Sequence, residues 1–101
     1  MDKTLIGTDL KFTLALTASG FDPETDDWHV DILRGNKVVE TFQRDDLAQT
    51  EDGTWVLCIE TENYGTGPYD ILVTAHVPDD DFPDGIRTEL YRQKLINLSR
   101  S

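Results

Sequence analysis

Apolar and polar residues alternate with period two along most of this chain. From Asp9 to Ala18, Leu10, Phe12, Leu14 and Leu16 are interleaved with Lys11, Thr13, Ala15 and Thr17. That pattern predicts a half-buried strand. Trp28, Val30 and Ile32 predict a second strand with its inner face on the even positions. Gly35-Asn36 follows, a pair that tolerates positive φ, and predicts a hairpin into Val38–Gln43. In that returning strand Val38, Glu40 and Phe42 share one face and Val39 and Thr41 the other, so the inner face is left open.

Arg44–Leu47 reads as a turn or a short 3₁₀ piece and Thr50–Gly53 as a turn. Thr54–Thr61 predicts a strand with Trp55, Leu57 and Ile59 inward. A turn over Gly65–Pro68 precedes a strand with Tyr69, Ile71, Val73, Ala75 and Val77 inward. Pro78–Gly85 is a long loop. Residues 86–98 predict one further strand, or two with a bulge, with a terminal helix as the alternative, because Leu90, Tyr91, Leu95, Ile96 and Leu98 keep neither period cleanly.

Roughly six to seven short strands, with no amphipathic helix between them, predict an all-β fold: an immunoglobulin-like antiparallel β-sandwich. The length of 101 residues suits a single domain over 1–101. Cys58 is the only cysteine, which excludes an internal disulfide and thiolate-rich zinc sites. Alternation places it on the face opposite Trp55, Leu57 and Ile59, and its apolar neighbours mark it as a small hydrophobe and not a nucleophile. Residues 1–7 lack the basic and apolar regions of a signal peptide, and no apolar run approaches a membrane span. A cytoplasmic location, or a place within a virion or similar assembly, is therefore expected.

The net charge is −11. Such a surface repels phosphate backbones and anionic membranes, so neither nucleic acid nor membrane is expected as a partner, and a basic protein is. If each connection reverses the chain, the loops at 22–27, 45–52 and 79–84 share one end. They carry twelve of the twenty acidic residues. Lys3, Arg34, Lys37 and Arg100 fall at the opposite end. The acidic pole has three readings: solubility, a basic protein partner, or calcium bound by Asp79, Asp80, Asp81, Asp84, Asp26 and Asp27. An EF-hand is excluded, because Gly85 at its sixth position places Phe82 at the third and Tyr91 at the twelfth.

No catalytic signature emerges. His29 and His76 fall on strands without a partner motif and read as surface or cross-strand histidines. Gly65-Thr66-Gly67-Pro68 lacks the Lys-Ser/Thr ending of a phosphate loop. No cofactor is expected. The leading expectation is a non-enzymatic structural or binding module of a protein assembly. The alternatives are a calcium- or carbohydrate-binding sandwich, and a small carboxylate-dependent hydrolase or enzyme accessory subunit.

Four segments, Gly7–Phe12, Asp26–Lys37, Gly65–Tyr69 and Val73–Asp79, resemble small immunoglobulin-like sandwich proteins of phages, prophages and conjugative elements of gut bacteria. They are similar to the N-terminal domains of phage baseplate and fibre proteins. The resemblance implies a structural or attachment role and carries over no functional residue.

Overall fold

A computed structural model describes residues 4–100. Its strands are β1 (Thr4–Leu5), β2 (Asp9–Leu14), β3 (Asp27–Arg34), β4 (Lys37–Gln43), β5 (Ala48–Gln49), β6 (Trp55–Glu60), β7 (Gly67–Pro78) and β8 (Ile86–Ser99). A 3₁₀ turn, Arg44–Asp46, joins β4 to β5. The chain is all-β in two sheets: one of five strands in the order β1-β8-β7-β3-β4, the other of three in the order β2-β6-β5. No helix among the described residues is long and apolar enough to cross a membrane.

The alternation set the inner faces correctly. Trp28, Val30 and Ile32 of β3, Trp55, Leu57 and Ile59 of β6, and Tyr69, Ile71, Val73, Ala75 and Val77 of β7 are buried in one hydrophobic cluster. Both sheets contribute to it: the Trp28 and Trp55 rings meet edge to face at 5.2 Å. The indole N–H of Trp28 donates to the Pro23 carbonyl at 2.8 Å, which fixes the loop leading into β3. Thr61 is the one buried polar residue among those described. Its hydroxyl donates to the Thr8 carbonyl and accepts from the Gly7 N–H, tying the β1–β2 turn to the end of β6.

Four features differ from expectation. Two strands, β1 and β5, are only two residues long and carry no readable alternation. β1 runs parallel to β8, where every pairing was expected antiparallel. β2 stops at Leu14, so Ala15–Ala18 lies outside any strand. Residues 86–98 form a single strand and no helix; the mixed periodicity comes from a bulge at Leu95, because Tyr69 pairs with Ile96 while Asp70 pairs with Lys94. Cys58 is exposed on the face of β6 opposite Trp55, Leu57 and Ile59, where the alternation placed it.

The hairpin at Gly35-Asn36 forms as expected, closed by the Arg34–Lys37 pair. Only Gly35 takes positive φ, at 64°, as in a type II′ turn. β4 is an edge strand, mostly exposed, with Phe42 opposite Val30 and Glu40 opposite Ile32 on the inner row.

Candidate functional site

The loops at 15–26, 44–47, 50–54 and 79–85 do share one end of the molecule. The Arg44 guanidinium donates to the Asp26 carbonyl at 2.8 Å, and Arg87 donates to the Ser19 carbonyl at 2.6 Å. These two cations within the acidic pole were not placed there by the strand-parity argument. Each pins one loop to another. Lys3, expected at the opposite end, lies outside the described residues.

Three of the six aspartates weighed as a cation site, Asp79, Asp84 and Asp26, are engaged locally. Asp79 accepts from the Asp81 N–H at 3.0 Å and from Arg87 at 2.7 Å. The Asp81 N–H first, then Arg87, hold its carboxyl below the usual range. Asp84 accepts from the Ile86 N–H, and Asp26 from the Asp22 N–H. Asp80 and Asp81 sit in the same loop as Asp79, while Asp27 opens β3. The Asp79, Asp84 and Asp26 carboxylates cap turns, as aspartates in loops commonly do. Among the described residues, no three His, Cys, Asp or Glu side chains are grouped to hold a metal ion. His29 lies 3.3 Å from Asp31 on the same strand.

A cleft of about 590 Å³ opens between β4 and β6. Glu40, Glu60, Cys58, Arg34 and Tyr64 line it. The Tyr64 hydroxyl donates to Glu40. Burial, then the Glu40 carboxylate, push the Tyr64 phenol well above its ordinary range. Tyr64 stacks on Tyr69 with ring centroids 5.2 Å apart. Arg34 lies across Gly65 and Gly67, and a β-carbon at Gly65 would fall 2.6 Å from its guanidinium. Sequence reasoning read this stretch as a turn and missed its role as the cleft wall.

The second opening is larger in consequence. β7 pairs with β8 from Ile86 to Leu98, but β1 covers the far side of β8 only at Leu98 and Ser99. From Ile86 to Asn97, no described strand pairs with that far edge. Most strands are about five to six residues long; β8 has fourteen. Leu90 and Tyr91, at the middle of the open stretch, are 67% and 59% exposed. Arg87, Glu89, Tyr91 and Gln93 stand opposite the buried Val77, Ala75, Val73 and Ile71, so they occupy the inner row of the sheet. They are polar because the smaller sheet does not cover them. A groove of about 520 Å³ results, with Val73 and Ala75 as its floor and Leu14, Leu16 and Phe21 along the wall facing Tyr91.

Among the described residues, the open edge of β8 is the longest stretch of strand edge without a partner. The chain matches no protein-family model, no curated protein and no solved structure.

Proposed function

We propose that this chain is a non-enzymatic binding or assembly module on an immunoglobulin-like β-sandwich, and that it engages a protein partner through the open edge of β8. The sandwich reading is supported by strand order. β2, β6 and β5 correspond to strands B, E and D of that fold, and β8, β7, β3 and β4 to G, F, C and C′. Trp28 lies buried on the C-equivalent strand. The Tyr69 hydroxyl, near the start of the F-equivalent strand, donates to the carbonyl of Gly65 at 2.8 Å, the arrangement of a tyrosine corner. Ile71 takes the place two residues on where antibody domains have a cysteine, so the core relies on packing alone.

The observation that carries the binding reading is the length of uncovered edge on β8, with two large apolar side chains exposed at its centre. An unpaired strand edge offers a row of N–H and C=O groups to any extended segment. A setting in a phage or mobile-element assembly rests on the sequence resemblance.

Affinity capture from the source cells tests the reading, with three baits: wild type, an edge variant (Leu90→Lys with Tyr91→Lys) and a cleft variant (Glu40→Gln with Glu60→Gln). A protein held by wild type and the cleft variant, and lost from the edge variant, is the expected result. Equal retention by all three overturns the edge assignment. Catalytic turnover abolished by the cleft variant would move the function to the carboxylates. A rise in melting temperature at about millimolar calcium would move it to the acidic loops.

A further inference from the structure

The edge reading can be taken further, to the kind of segment that fits. Three observations constrain it, beginning with the backbone. Among the described residues, no strand pairs with the far edge of β8 from Ile86 to Asn97, and across the groove Ala15–Thr17 makes no backbone hydrogen bond to another segment. Both walls therefore present unpaired peptide groups, and such groups are matched most fully by another extended chain.

The floor comes second. A strand added to β8 would turn every second side chain into the groove, over Val73 and Ala75 and against Leu14, Leu16 and Phe21. Apolar residues suit those positions, since a polar group would lose water without gaining a partner.

The third is charge. One mouth of the groove, at Ala18, Phe21 and Glu89, opens on the acidic pole. Asp80, Asp81 and Asp84 lie just before β8, and Asp22, Glu24 and Asp26 just after the Ala18 wall. Arg87, the cation at that mouth, is already bound to Asp79 and Glu89.

These conditions argue against a second copy as occupant. A two-fold pairing of β8 with β8 would present Arg87, Glu89 and Gln93 to the floor, with Tyr91 the single large apolar group among them. It would also bring together two chains of net charge −11.

We propose that the β8 groove is an acceptor site for an extended segment of a different protein, one with apolar side chains at alternate positions and a basic flank that lies over the acidic pole. The proposal rests on the edge reading above and adds the chemistry of the partner.

Synthetic peptides test it directly. The probe is an alternating Val-Thr strand of about seven residues, enough to span the groove, followed by three lysines. Amide exchange and NMR shifts on the intact protein are the readouts. Slowed exchange is expected along β8 between Thr88 and Lys94. Replacing the lysines with glutamates should weaken binding by about tenfold or more, and raising the salt should narrow that difference. N-methylation at one phase of alternate peptide nitrogens should abolish binding, while methylation at the other phase leaves most of it; a non-specific apolar contact would not distinguish the phases.

Absence of β8 protection with every peptide overturns the proposal, and so does a concentration-dependent dimer blocked by Leu90→Lys. The edge reading outlives the first result if the capture experiment still loses its protein with the edge variant. Equal binding of the lysine and glutamate peptides overturns the basic flank.

Discussion

The five-stranded sheet has two edges, and the chain treats them differently. At β4 the strand is seven residues long and its exit is fastened at once. The Gln43 N–H donates to Asp46 at 2.8 Å in a capping box, Arg44 reaches back to Asp26, and Leu47 is buried as the chain crosses to the smaller sheet. At β8 the strand is twice as long, and β1 covers only its last residues. Both edges carry charges that discourage indiscriminate pairing: Lys37 and Glu40 on one, Arg87, Glu89, Arg92 and Lys94 on the other. The difference lies in what the backbone does next. Among the described residues β4 is also unpaired on its outer side, but it is short and leads directly into the crossing to the smaller sheet, whereas β8 runs twelve residues unpaired above a groove.

The first way to test this contrast is to remove what both edges share. Trp28→Ala should cost about 3–5 kcal/mol, because the indole fills the common core and anchors the Pro23 loop. A loss below about 1 kcal/mol by denaturant unfolding would refute that placement.

A sharper comparison uses two leucines of the same strand. Leu98 is 1% exposed, under the part of β8 that β1 covers. Leu98→Ala should cost about 2–5 kcal/mol, and Leu90→Ala within about 0.5 kcal/mol. Equal losses would mean that something covers the open stretch after all.

Tyr69→Phe should cost about 1 kcal/mol, the usual net worth of one hydrogen bond, by leaving the Gly65 carbonyl unpaired beside the β4 cleft. It should leave exchange on the β8 edge unchanged.

The smallest effect concerns the loop that introduces β8. The Asp79 carboxyl is depressed from its ordinary 3.8 in the folded chain, so its contribution is complete above that value and is lost as pH falls through the folded pKa. Asp79→Asn should therefore lower the melting temperature slightly at neutral pH and converge with wild type in strong acid. A constant offset at every pH would show that the carboxylate's charge is irrelevant. Among the described residues, Asp80 and Asp81 accept no hydrogen bond from a side chain, Arg87 included. Replacing all three together, expected from sequence to be neutral or favourable, now has one member that should cost stability.

Much of this was legible beforehand. β3, β6 and β7 could be read from Trp28, Trp55 and Tyr69 and the alternation after each, because burial on one face of a strand writes a period of two into the chain. The acidic pole followed from counting reversals. The candidate site was not legible in the same way. Arg87, Glu89, Tyr91 and Gln93 look like an outer face, yet they sit on the inner row, polar because the smaller sheet stops short of them.

By itself, then, the sequence determined that this chain is all-β, where its main strands and turns lie and which side chains form the core, since those follow from local alternation and turn chemistry. Only the tertiary structure decided which strands are neighbours, that two-residue β1 pairs in parallel with β8, and that twelve residues of β8, Ile86 to Asn97, meet no partner on one side among the described residues. The reason is physical: strand pairing is made by backbone groups that every residue shares, so an open edge leaves almost no mark on the residues that form it.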